Sequence, residues 1–339
     1  MALAAHEPAP GKSDPRGFEW FALRDELRGD PAEVFRLGNR SVRRFRTAPD
    51  GAGVIVEDDS DSLLEWRPAA GTLHRLAVRG NIHAVANDGT LVVGLGDGWG
   101  TLPPGQTNVT RLSGSRVLLD ATPDGAVGLL VDSAATNFVL TLRRRSDGAA
   151  LRTIAVPKLG AYLGAATLSP GAMQVALEFE REAGLERFRR LELWDLNRGG
   201  LRWRLNPTNR IRLARFSPDD RHLAVSFGGA TVWLLDAQTG RLEHALTAHT
   251  DRVNDFAFAP AGNLLATAGA DQTVSLWSVA GGTRLRTWRG HTAAVNTVAW
   301  LAGGTRIVSA DNDGEVRIWS PDTPFPVPGS HRCAGRHLW

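Results

Sequence analysis

Among the 339 residues there is a single cysteine, Cys333. One thiol excludes an intramolecular disulfide framework and a multi-cysteine zinc site. No apolar run approaches the ~18 residues that a membrane-spanning helix needs. The opening stretch, MALAAHEPAPGKSDP, lacks an apolar core and carries an early acidic residue and three prolines, so no secretory leader is expected there. The expected location is a reducing cytoplasm. Lysine is also scarce. Of 39 basic residues only Lys12 and Lys158 are lysine, which leaves 37 arginines, and there is one tyrosine, Tyr162.

Tryptophan, by contrast, occurs 11 times. The formal net charge is only +3, yet the isoelectric point is near 9.7. Arginine stays protonated far above neutrality, so a small arginine excess moves the isoelectric point without making a nucleic-acid footprint. The composition fits a GC-rich bacterial genome, and a nucleic-acid partner is not expected. With 42% hydrophobic and 22% charged residues the chain can bury a large core.

Internal repetition organises the chain. TVWLLDAQTG, TVSLWSVAGG and EVRIWSPDTP superimpose, with Leu235, Trp277 and Trp319 in one slot and 42 residues between neighbours. Pro218, Pro260 and Ala302 form a second series at the same spacing. Trp194 and Trp66 continue the tryptophan series toward the N-terminus. Turn triplets of the Pro-Asp-Gly kind begin at Pro49, Asn87, Pro123, Pro170, Pro218, Pro260 and Ala302, which gives seven units. Short Val, Leu, Ile and Thr runs between such turns specify antiparallel hairpins. A four-stranded unit has two apolar faces and buries both only by packing between two neighbours around an axis. A period of 40–45 residues fits a propeller and not the shorter helical or leucine-rich repeats.

His249, Thr267, Asp271 and Trp277 recur as His291, Ser309, Asp313 and Trp319, with His and Trp 28 apart in both. Together with Ala248-His249-Thr250-Asp251 and Gly290-His291, they resemble the WD40-repeat signature. The resemblance covers about residues 32–321, strongly in the last two repeats, by length and turn in the fifth, and by hairpin rhythm in the first four. It implies an all-β, seven-bladed β-propeller of four-stranded antiparallel blades, closed by an N-terminal strand. On that basis Val34 to Leu37 is expected to pair with Val316 to Trp319. It also implies that each quartet is a buried chain running from indole to hydroxyl, imidazole and carboxylate. Two copies at one offset mark a structural unit and not a hydrolase triad. The fifth repeat keeps the length but holds Pro207, Val225, Gly229 and Leu235 in the four slots.

The remaining segments carry separate expectations. Residues 1–31 are read as a disordered segment with a short helix over Phe18 to Leu27, residues 32–322 as the ring, and 323–339 as a Pro-rich disordered tail. The fourth repeat has 24 residues from Pro170 to Trp194, against 17 from Pro260 to Trp277, which suggests a long protruding hairpin in EFEREAGLERFRRLEL. Trp203, aligned with His244, falls on an outer strand as a side-wall contact or an edge aromatic. His331, Cys333 and His337 offer too few ligands, on a tail, for a metal site. Gly94 and Gly96 lack the helix that a dinucleotide site requires. No cofactor, no metal and no catalytic residue is assigned.

In WD-repeat proteins the residues flanking the first core residue of each inner strand line one rim. The matching positions here are Ser41, Arg43, Tyr162, Arg210, Arg212, Arg252, Asn254 and Asn296, with Ala294. Guanidinium forks and one tyrosine suit a protein or peptide partner of acidic character. The resemblance implies a non-enzymatic interaction scaffold. Two alternatives stay open: a propeller-fold enzyme of the lactonase or peptidase kind, and a sensor or docking module of a larger complex.

Overall fold

The computed structural model describes residues 33–36 and 41–321, apart from short breaks of at most three residues. The anticipated helix at Phe18 to Leu27, the tail and its His331, Cys333 and His337 lie outside the described residues. Among the described residues the chain is almost entirely β, with two 3-10 turns at Pro68–Ala70 and Ala302–Gly304.

Strand β1 is Glu33–Arg36. The first blade holds β2 (Val42–Thr47), β3 (Val54–Asp58), β4 (Ser62–Arg67) and β5 (Thr72–Arg79). The second holds β6 (Asn81–Val85), β7 (Leu91–Leu95), β8 (Gly98–Leu102) and β9 (Thr110–Gly114). The third holds β10 (Val117–Ala121), β11 (Val127–Ser133), β12 (Asn137–Arg144) and β13 (Ala150–Pro157). The fourth holds β14 (Tyr162–Leu168), β15 (Gln174–Ala183), β16 (Glu186–Asp195) and β17 (Gly200–Leu205). The fifth holds β18 (Leu213–Phe216), β19 (His222–Ser226), β20 (Thr231–Asp236) and β21 (Leu242–Thr247). The sixth holds β22 (Val253–Phe258), β23 (Leu264–Gly269), β24 (Val274–Ser278) and β25 (Arg284–Trp288). The seventh holds β26 (Val295–Leu301), β27 (Arg306–Asp311) and β28 (Glu315–Trp319). All pairings are antiparallel, and each of the seven sheets has four strands.

The seventh blade takes its outer strand from the start of the ring. Glu33 pairs with Ile318, Val34 with Arg317, Phe35 with Val316 and Arg36 with Glu315. Phe35 then meets Trp66 of the first blade edge-on, with ring centroids 5.1 Å apart.

The core lies between blades, and the tryptophan slot explains why. Trp277 packs with Val232 and Leu234 of the preceding blade. Trp319 packs with Val274 and Trp288, Trp66 with Val316 and Ile318, and Trp194 with Leu140 and Leu142. Leu235 fills the same place against Leu191 and Leu193. Each slot is thus an apolar wedge driven into the blade before it. A fully buried large side chain contributes about 1.5–3 kcal/mol there.

The turn triplets place their third residue at positive φ: Gly89, Gly125, Ala172, Asp220, Gly262 and Gly304. Four of the six are glycine, which alone takes this conformation without strain. The long hairpin of the fourth blade is present, with β15 and β16 in unbroken register from Gln174↔Asp195 to Ala183↔Glu186.

Candidate functional site: the loop face and the inner strands

The loops that enter the inner strands and the turns between second and third strands lie on one face of the ring. In the sixth blade they are tied together by a buried polar chain. Trp277 Nε1 donates to Thr267 Oγ1 at 3.1 Å. Thr267 Oγ1 lies 2.7 Å from His249 Nε2, and His249 Nδ1 lies 3.0 Å from Asp271 Oδ1. Asp271 also accepts from the backbone N–H of Thr250 and from the Thr273 hydroxyl. Burial alone would raise the Asp271 pKa. The hydrogen bonds from His249 and the Thr250 amide outweigh it and hold the carboxyl well below its usual range.

The seventh blade builds the same chain with a different carboxylate. Trp319 Nε1 donates to Ser309 Oγ at 2.8 Å, and Ser309 Oγ lies 2.7 Å from His291 Nε2. His291 Nδ1 pairs at 3.0 Å with Asp311, not with Asp313 as the 42-residue offset suggests. Asp313 is exposed, and only its backbone N–H joins in, donating to Asp311 Oδ1. The reason is steric. The Asp311 slot is occupied in the sixth blade by Gly269, where a Cβ would collide with His249 Nδ1 and Asp271 Oδ1. A glycine there makes room for a carboxylate arriving from two residues downstream. An aspartate there supplies the carboxylate itself.

Asp58 of the first blade occupies the Asp311 position and accepts from the amides of Ser60 and Ser62, each at 2.9 Å. Asp311 does the same with Asp313 and Glu315. Sequence reasoning missed Asp58, although its spacing to the following turn residues matches that of Asp311. The fourth blade replaces the whole chain by a charge cluster. Trp194 Nε1 donates to Glu192, which also pairs with Arg190 at 2.9 Å and Arg204 at 2.7 Å.

His291, Asp311 and Glu315 lie close enough together to suggest a metal site. Their lone pairs are already engaged. Both imidazole nitrogens have partners, and Glu315 holds Arg317 at 2.7 Å. The donor set is therefore satisfied as a structural network.

The rim positions divide into two groups. Asn254, Asn296 and Ser41 act as clamps between blades. Asn254 Nδ2 donates to the Val295 carbonyl of the next blade at 2.9 Å. Asn296 Nδ2 donates to the Val42 carbonyl and the Ser41 hydroxyl at 3.2 Å, across the joint that closes the ring. The other group points outward. Tyr162 is 75% exposed. It pairs across the hairpin with Glu180, which Arg210 contacts at 3.4 Å and Arg189 at 3.3 Å. Nearby, burial and then the Glu180 charge push Glu178 up to about 7. Arg252 and Arg212 are exposed on neighbouring inner strands or their entries. Arg43 leans on the Asp59 carbonyl at 3.3 Å and on Glu57 at 3.7 Å.

Trp203 is absorbed by the ring wall. Its indole donates to the Ala237 carbonyl at 3.0 Å, and its ring covers Gly240 in the turn of the next blade. His244 does the same to Ala280 and Gly282 one blade on. A separate cleft of about 290 Å³ lies between the first two blades, lined by Arg67, Leu76, Asp88, Pro103 and Pro104 among others.

Seven four-stranded sheets ringed by their inner strands define a β-propeller, and the two polar chains place it among the repeat-built propellers. The family model of the WD domain, G-beta repeat, matches residues 240–278 and 282–320. Those spans end at the third strands of the sixth and seventh blades, and together with the seven-bladed ring they support a WD40-repeat propeller. No curated protein matches it.

Proposed function

We propose that this protein is a non-enzymatic interaction scaffold whose loop face receives a protein or peptide of acidic character. Propellers of this family typically serve as interaction scaffolds. The observation that carries the reading is Tyr162, a large side chain left 75% exposed beside Arg210 on the loop face. Exposed aromatics flanked by arginine are the residue types that dominate binding energy at interfaces. Arg43, Arg212 and Arg252 extend the positive rim, and Ser41, Asn254 and Asn296 hold it in place. The cytoplasm suits an adaptor of this kind.

The test is capture of partners on the full chain, followed by mass spectrometry, repeated with Tyr162→Ala, Arg210→Ala and Arg252→Ala. A partner retained by the wild type and lost from all three variants supports the reading. A partner set identical across the four proteins overturns it. A substrate screen and a metal analysis separate the enzyme alternative. Turnover abolished by a rim substitution would make this an enzyme.

A further inference from the structure

The inner strands carry a charge arrangement that the loop face does not use. On β2, Arg44 and Arg46 flank Phe45, which is buried in the core between the seventh and first blades. Strand side chains alternate, so both arginines leave β2 on the opposite side, toward the axis ringed by the inner strands. Both are partly buried. Arg215 on β18 and Asp120 on β10 lie near enough to act on Arg46.

Two carboxylates lie near these three arginines, Asp255 and Asp120, and both are engaged by other groups. Asp255 pairs with Arg215 at 2.8 Å and accepts from the Thr297 hydroxyl at 2.8 Å and the Val298 amide at 3.1 Å. Arg215 also donates to the Phe256 carbonyl. Asp120 accepts from the Leu168 amide at 2.8 Å, and burial pushes it up to about 6. Among the described residues neither Arg44 nor Arg46 has a carboxylate at ion-pair distance. Arg46 donates only to the Phe45 carbonyl, at 3.2 Å.

Burial, then Arg215 and Arg44, lower Arg46 to about 10, and the weaker pull of Asp120 and Asp255 offsets only part of this. Burial, then Arg46 and Arg44, lower His83 to about 4, leaving a neutral imidazole on β6. Like charges crowded in a low-dielectric space are costly unless an anion joins them.

We propose that Arg44 and Arg46, on the axial side of β2, bind a small oxyanion of the phosphate class, with Arg215 adding to the positive charge there. A guanidinium fork offers paired N–H donors to a tetrahedral anion, a fit that a lysine ammonium lacks. The site is separate from the rim and takes a small solute, not a macromolecule.

Calorimetric titration of the full chain with inorganic phosphate, at pH 7 and constant ionic strength, tests it. Saturable binding is expected, weakened at least tenfold by Arg46→Met and by Arg44→Met and unchanged by Arg252→Ala. Arg46→Met should melt no lower than wild type in phosphate-free buffer, since it relieves repulsion, whereas a merely structural arginine would lower that baseline. If Arg46→Met does not fold, Arg46→Lys carries the same test, with a several-fold loss expected because the fork is gone. Absence of saturable binding to the wild type overturns the proposal. So does equal affinity in the Arg46 variants, or loss of binding in Arg252→Ala. Partner capture reads the rim independently, so either proposal can fail without the other.

Discussion

The fifth and sixth blades have the same length, the same strand order and the same slot-by-slot register, yet they are held by different chemistry. Leu223 faces Leu235 in one, and Leu265 faces Trp277 in the other. The sixth blade ties its entry loop to its turn with four polar side chains. The fifth puts Val225 and Leu235 in two of those slots, both fully buried. What the blades share is the apolar wedge against the preceding blade. The wedge makes a blade, and the polar chain makes a particular pair of loops rigid. A buried indole or imidazole needs its partners once present, whereas leucine and valine need none.

The sharpest way to break this comparison is to place one methyl group in each blade. Gly269→Ala drives a Cβ into His249 and Asp271, whereas a Cβ at Gly229, in the Asp271 slot of the fifth blade, meets nothing within 4 Å. The expected cost is about 3 kcal/mol for Gly269→Ala, the upper end for overpacking, and about zero for Gly229→Ala. Denaturant midpoints measured on both variants decide it. Equal midpoints would mean that the polar chain does not constrain the turn.

A smaller effect separates the two carboxylates of the seventh blade. Asp311→Asn should cost about 1–3 kcal/mol by spoiling the partner of a buried imidazole, and Asp313→Asn about nothing. The His291 hydrogen bond and the Glu315 amide hold Asp311 below its usual range despite its burial. A carboxyl held down in the folded state adds stability above its unfolded pKa, near 4, and surrenders it as the pH falls through the folded value. Thermal midpoints should therefore drop steeply below about pH 4 in the wild type and less steeply in Asp311→Asn. Parallel acid profiles for the two proteins would remove Asp311 from the network.

The smallest expected effect concerns the turns on the opposite edge of the blades. Ala172 sits at φ 53° in the place that most other blades give to glycine. Ala172→Gly should relieve about 1 kcal/mol of backbone strain, set against the entropy of the freer unfolded chain, for a net gain below that. Gly171→Ala, one residue earlier, should instead destabilise, because its Cβ would approach Asp220 Oδ2 to 2.5 Å. Thermal melts of both variants that moved in the same direction would contradict this assignment of the turn.

Much of the ring was legible in the sequence, because packing and backbone geometry constrain residue type strongly. A wedge slot demands Trp or Leu, and a positive-φ slot favours Gly, so both leave a period that survives drift elsewhere. The closing strand was legible only through the family resemblance, and the structure adds that its Phe35 seats against Trp66. Polar partnerships were less legible. Asp311 stands 20 residues from its histidine and Asp271 stands 22 from its own, so a gap-free alignment pointed to Asp313. The overlooked signal was Gly269, whose missing side chain marks where the other carboxylate goes. Asn254 and Asn296 were placed on the rim, but no spacing rule reveals that their amides reach carbonyls of the next blade. Arg44 and Arg46 were hidden among 37 arginines and emerge only when strands distant in sequence converge on one axis.

The pairing of β1 with β28 also sets an order of events in time. The seventh blade cannot be finished until a segment made at the start of the ring meets one made at its end. Closing so long a loop is entropically expensive, and contacts of this kind slow folding. Six blades can form as successive local hairpins while the last stays one strand short. Until β1 docks, β28 presents an unpaired edge, an interval in which another chain's β1 could occupy it.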